Sequence, residues 1–90
     1  MAWFRSLEVV PTIVALLRKL EEIRIQELQQ HASRFGALSE AQQAEIAMLT
    51  TRIINKILHQ PTVQLKECAG QQQGHLYADA LRDLFALELE

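Results

Sequence analysis

The stretch Pro11-Thr12-Ile13-Val14-Ala15-Leu16-Leu17-Arg18-Lys19-Leu20-Glu21-Glu22-Ile23-Arg24-Ile25-Gln26-Glu27-Leu28 decides the fold. Ile13, Leu16, Leu17, Leu20, Ile23 and Leu28 recur at three- and four-residue steps, the period of a helix rather than the alternation of a strand. Proline suits the first turn of a helix, where its missing N–H had no partner anyway, and it disfavours helix in the residue before it. Pro11 is therefore expected to open this helix, with Trp3 to Glu8 the tail of an incoming one. Arg18, Glu22 and Gln26 line the polar side, while Arg24 and Glu27 fall at the edges of the apolar stripe or inside it. The helix should run to about Arg34, roughly 36 Å at 1.5 Å per residue. Gly36 is the expected left-handed cap.

Working outward, Ser39 with Gln42 three residues on forms a capping-box pattern and opens a second helix. Its stripe is Ile46, Leu49, Ile53 and Ile57, widened by Met48, Ile54 and Leu58, and Pro61 is expected to stop it near His59-Gln60. A short third helix follows from Pro61 through Val63 and Leu65 to about Ala69, closed by Gly70. Gln71-Gln72-Gln73-Gly74 reads as a mobile polar loop. A final helix from Leu76 to about Leu87 presents Tyr77, Ala80, Leu81, Leu84 and Phe85. No segment alternates with period two, so the expected class is all-α, a small domain of about four helices, two long and two short.

Composition agrees and excludes several function classes. The 90 residues carry nine Lys and Arg against eleven Asp and Glu, a formal charge of −2, with 49% hydrophobic and 22% charged residues. That is one domain at most and not a disordered chain. The slight negative charge argues against a domain built mainly to hold nucleic acid. No apolar run approaches the ~20 residues needed to span a bilayer, and no secretory signal is evident. A single cysteine, Cys68, precludes an internal disulfide and fits a reducing, cytoplasmic compartment.

No reaction centre assembles from these residues. His31, His59 and His75 lie far apart without metal-ligand spacing, so no metal is expected. His59 sits in what reads as the last turn of a helix, where an imidazole suits the dipole. Cys68 lies near a helix C-terminus, the end that raises a thiol pKa, and reads as a packing residue. An enzyme built on Cys68 or His59 would need a perturbed pKa that no neighbour supplies. With no glycine-rich loop after a strand there is no phosphate cradle, so no cofactor is expected on this chain. Arg52, Asn55, Lys56 and His59 fall within about 100° of arc on the second helix, away from its apolar face. They form either an ordinary solvated face or a contact for an anionic partner or a neighbouring helix end.

The apolar faces need cover. Helices of such unequal length do not readily cover one another in a monomer, and two-fold pairing through the long helices would bury the excess. Ile13, Leu16, Leu17, Leu20 and Ile23 are the candidate interface residues. A four-helix bundle closed on itself is the competing arrangement. A stand-alone adaptor that binds another protein's helix is the competing function.

The run Trp3-Phe4-Arg5-Ser6-Leu7-Glu8-Val9-Val10-Pro11-Thr12-Ile13-Val14-Ala15-Leu16 resembles the start of the C-terminal dimerisation domain of glutamyl-tRNA reductases. Leu49 to Val63 is similar too, and its Arg52-x-x-Asn55-Lys56-x-Leu58-His59-x-Pro61 pattern is the most specific part. Tyr77 to Phe85 also fits that family's ending. The resemblance implies residues 1–10 as the tail of a long spinal helix and its junction, and residues 11–88 as the helical dimerisation domain. Leu89-Glu90 reads as a vector-derived scar, and both ends suggest a piece of a longer protein. It further implies a homodimer within a cytoplasmic, bacterial-type enzyme that uses NADPH to reduce glutamyl-tRNA to glutamate-1-semialdehyde for tetrapyrrole (porphyrin) synthesis. Catalytic and nucleotide-binding residues would lie in other domains. Contact of this piece with the glutamate tRNA would be weak or absent, although Arg52, Asn55, Lys56 and His59 sit inside the family's most recognisable motif.

Overall fold

The computed structural model describes the backbone of residues 2–88 and the side chains of residues 9–88. Three helices make up the chain: α1 (Ala2–Gln30), α2 (Glu40–Glu67) and α3 (Gln72–Leu84), with a 3-10 turn at Ala32–Phe35 between the first two. No strand occurs among the described residues. The all-α class is therefore as expected, with two long helices and one short one rather than two and two. The pair at Leu89-Glu90 lies outside the described residues.

α1 and α2 form an antiparallel hairpin, and α3 folds back onto its open end. Val9 and Ile13 of α1, Leu65 of α2 and Ala78 of α3 make a buried cluster there, with Ala69 and Leu81 packed against it. Leu16, Leu58 and Cys68 are buried as well, as is Thr12. At 1.5 Å per residue the long helices span roughly 43 Å and α3 only roughly 20 Å. The molecule is accordingly elongated, 55 × 21 × 17 Å, three helices thick at one end and two at the other.

Both prolines lie inside helices instead of at their boundaries. A proline removes one helical hydrogen bond and costs about 3 kcal/mol in a helix interior. Tertiary packing outweighs that at both sites. Around Pro11, Val9, Thr12, Ile13 and Leu16 are all buried, and Pro11 itself falls about 150° round the helix from them, where water can satisfy the carbonyl left without a donor. Around Pro61, Leu58 and Leu65 anchor α2 on the same face, and the half-buried ring lines a cleft between α2 and α3 together with Leu65, Tyr77 and Leu81. The expected break at residues 59–61 and the separate third helix are thus corrected to one continuous α2.

The turns follow local chemistry. α1 ends at Gln30, four residues before the expected Arg34, because the chain tightens at His31. The His31 carbonyl accepts from Arg34 N at 3.0 Å and Phe35 N at 3.3 Å, and its ring Nδ1 lies 3.0 Å from the Glu27 carbonyl. Gly36 is right-handed (φ −60°, ψ −24°), so the left-handed cap expected there is absent. The capping box is present as expected: Gln42 N donates to Ser39 Oγ at 3.1 Å, and Ser39 N to Gln42 Oε1 at 3.0 Å. Gly70 does turn left-handed, at φ +85°. The Gln71–Gly74 segment is not a loop, since α3 starts at Gln72 and Gly74 is buried in its first turn. It ends at Leu84 rather than Leu87, closed by a Leu87 N to Arg82 carbonyl bond of 3.0 Å.

Candidate dimer interface

Because α3 covers only one end of the hairpin, the other end is left with a bare face. Leu20, Ile23 and Leu28 of α1 and Ile46, Ile53 and Ile54 of α2 line an open cleft of about 380 Å³ between the two helices. Helical spacing extends this face along α2 through Leu49, Ile53 and Ile57, the last of these 62% exposed. On α1, Val10, Val14 and Leu17 are exposed beside the buried stripe. Among the described residues, seven hydrophobic side chains are buried while thirteen large ones are exposed. A core that thin does not hold an isolated chain of this size comfortably.

The five residues expected to meet a second copy divide between inside and outside. Ile13 and Leu16 are buried within the chain, so neither is on the free surface. Leu17 and Ile23 are exposed, and Leu20 is half-buried in the cleft wall. The reason is geometric: α1 is apolar over more arc than one face, and the α2–α3 core takes the part that holds Ile13 and Leu16. Pairing was expected through both long helices, but the five residues named for it all lie on α1; α2 also has a free apolar flank. Its signal was the Ile46, Leu49, Ile53, Ile57 repeat, which runs along a flank that the buried Leu58 and Leu65 leave unused.

Charge enters the cleft at one well-bonded point. Arg24 donates from Nε to Glu21 Oε2 at 2.9 Å and from Nη2 to Glu21 Oε1. The hydrogen bond to Arg24, with the attraction of its charge, holds the Glu21 carboxyl below its ordinary value. The same hydrogen bond raises the Arg24 pKa further. At the hairpin tip His31 stacks on Phe35 with ring centroids 6.4 Å apart.

Arg52, Asn55, Lys56 and His59 are all exposed along α2. Arg52 borders an open depression with Leu38, Met48 and Leu49. Among the described residues none of the four makes an ion pair. His31, His59 and His75 stay apart, and no group of three metal-ligating side chains occurs among the described residues. Cys68 is buried at the end of α2, packed beside Gly74. No helix among the described residues is long and apolar enough to cross a membrane.

Comparison with known proteins places this geometry in context. The family model for the glutamyl-tRNA(Glu) reductase dimerisation domain matches residues 1–87. The chain is 43% identical over 88 residues to a glutamyl-tRNA reductase of Carboxydothermus hydrogenoformans, covering 98% of this chain and 20% of that protein. It is 46% identical over 86 residues to the glutamyl-tRNA reductase of Geotalea uraniireducens, covering 96% and 20%. The corresponding enzyme of Citrifermentans bemidjiense is 46% identical over 87 residues, covering 97% and 20%. The chain thus spans about a fifth of the length of these curated relatives. No solved structure matches it.

Proposed function

The chain belongs to the family of glutamyl-tRNA reductase dimerisation domains, and from that premise we propose that it holds two copies together through the open face of the α1/α2 hairpin. The observation that carries this is the open apolar cleft that Leu20, Ile23, Leu28, Ile46, Ile53 and Ile54 line beyond the reach of α3, continued by exposed Leu49 and Ile57. Leu17, Leu20 and Ile23 of α1 meet the second copy together with Ile46, Leu49, Ile53 and Ile57 of α2. Burial of such faces between two-fold related copies is the commonest way small helical domains complete a core.

The parent protein is then a cytoplasmic, NADPH-dependent reductase that converts glutamyl-tRNA to glutamate-1-semialdehyde for tetrapyrrole synthesis. Its chemistry belongs to residues other than these. A dinucleotide's pyrophosphate needs the open backbone N–H groups of a glycine-rich turn entering a helix. Here Gly74 is packed against the Cys68 carbonyl, and the start of α2 is capped by Ser39 and Gln42, so the residues present do not fit that cofactor. The tRNA partner is engaged by the parent, with little contribution from this chain. Its net charge is −2, and Arg52, Asn55, Lys56 and His59 form a single row on one helix that serves the Pro61 region or a tRNA edge.

Light scattering across a dilution series tests the pairing. The expected result is a mass of twice 10.3 kDa that persists on dilution. A well-folded monomer at every concentration would overturn the proposal and favour an adaptor that waits for a different helix.

A further inference from the structure

Arg24 is an unusual occupant of an apolar cleft. It lines the same surface as Leu20, Ile23, Leu28, Ile46 and Ile53, yet its side chain is only 15% exposed. Glu27 and His31, the other ionisable groups on this surface, are far more exposed. Besides its two bonds to Glu21, the guanidinium reaches across the hairpin. Nη1 lies 3.5 Å from the Ala47 carbonyl oxygen and 3.4 Å from Thr50 Oγ1. Thr50 in turn donates to the same Ala47 carbonyl at 2.7 Å, and Thr51 Oγ1 donates to it at 3.2 Å. Arg24 is therefore clamped to both long helices at a fixed height along the cleft. A guanidinium has five N–H donors; Nε and Nη2 each give one to Glu21 and one Nη1 donor is shared between the two α2 oxygens, leaving two for acceptors outside the chain.

We propose that Arg24, held by Glu21 and Thr50, sets the alignment in which a second copy seats on the α1/α2 cleft. This rests on the dimer reading above. Apolar attraction is non-directional, and stripes of Leu and Ile one turn apart offer a partner helix several nearly equivalent positions. A clamped, largely desolvated cation removes that degeneracy. An alignment that lays an aliphatic side chain over Arg24 strands its remaining donors, whereas the correct one supplies an acceptor. Two-fold symmetry repeats the constraint once per copy, so a wrong alignment is penalised twice. Arg24 is thus a positioning residue that contributes specificity rather than affinity.

The test uses the 90-residue chain with a nitroxide label at exposed Gln29, introduced as cysteine in a Cys68→Ala background, and measures inter-subunit distances by pulsed electron resonance. The unsubstituted Arg24 chain is expected to give one narrow distance. Arg24→Leu should associate at least as tightly, on the order of tenfold tighter, while its distances spread over several alignments. Arg24→Met, which keeps the length of the arginine stem, provides the same test should the leucine variant fail to fold. A single unchanged distance in a folded Arg24→Leu or Arg24→Met dimer would overturn the alignment role and leave the dimer standing. Weaker association of those variants would also overturn it, making Arg24 a source of affinity. Loss of any inter-subunit distance with Arg24 intact would remove the dimer itself, and the alignment role with it.

Discussion

Gly74→Ala adds one methyl group to the first turn of α3, and the structure says where it goes. A Cβ at Gly74 would run into the Cys68 carbonyl oxygen and lie 2.8 Å from the carbonyl carbon and 3.3 Å from Cys68 Cβ. Carbon atoms settle about 3.5–4.0 Å apart, so the start of α3 must retreat by about 1 Å. The obstacle is backbone at the end of α2 and cannot swing aside. Two effects then compete. Alanine gains about 1 kcal/mol over glycine in a helix, while forced overpacking costs about 1–3 kcal/mol. The retreat also loosens Ala78 and Leu81 from the cluster with Val9, Ile13 and Leu65, and a gap of this size forfeits a quarter to a half of each dispersion contact it touches. The upper end of the overpacking range therefore applies, for a net loss of about 2 kcal/mol. In a domain of this size that lowers Tm by roughly 8–16 °C. The assay is thermal and urea unfolding followed by circular dichroism at one fixed concentration, because association itself adds stability. Gln73→Ala, at an exposed neighbouring position, is the control and should stay within about 0.5 kcal/mol. A Gly74→Ala chain as stable as the parent would refute the close approach of α3 to α2.

Four further variants probe other parts of the argument. Leu49→Glu combined with Ile53→Glu should halve the mass seen by light scattering while helicity persists, because both side chains are exposed in the single chain. Leu16→Glu, at a buried position, should instead unfold it; the reverse pattern would exchange the inner and outer faces of the hairpin. Ala86 sits at φ +53°, where a Cβ costs roughly 1 kcal/mol, so Ala86→Gly should raise stability by about 0.5–1 kcal/mol in urea melts. Glu21 is held below its ordinary value by Arg24, so its contribution is present above the unfolded-state value of about 4.3 and is lost as pH falls through the lower folded-state value. The stability gap between the parent and Glu21→Gln should thus be full at neutral pH and close as the solution is acidified; a gap that widens in acid would contradict the pairing.

Element type was legible from spacing throughout, whereas element ends were legible only where a side chain makes the end itself. Ser39 and Gln42 carry their own hydrogen bonds to the backbone, and that helix start is where the pattern placed it. Pro11 and Pro61 are different, because whether a proline ends a helix depends on what the flanking residues bury. Val9 with Ile13, and Leu58 with Leu65, are held by other helices, and no local signal reports that. Gly74 reverses the lesson. Beside three glutamines it reads as loop, but its missing side chain is the space through which α3 reaches the end of α2.

The free apolar surface was legible in amount and not in position. The apolar residues of α1 occupy too wide an arc for one neighbour, which already demands a second surface. At 100° per residue, buried Val9, Thr12, Ile13 and Leu16 fill about 100° of that arc, and exposed Val10, Val14 and Leu17 fill an adjacent sector. Composition does not mark the buried sector, which includes Thr12 while the exposed one is wholly Val and Leu. The division is made by α3, whose short length confines it to one end of the hairpin and to one sector of α1. Past the reach of α3, Ile23 and Ile53 are left exposed on facing helices, and Arg24 is bonded to Glu21 on one and reaches Thr50 on the other. A domain meant to stand alone would gain by extending α3 over that cleft. Leaving it open, with a clamped cation inside, fits a core that is completed by another copy in one alignment.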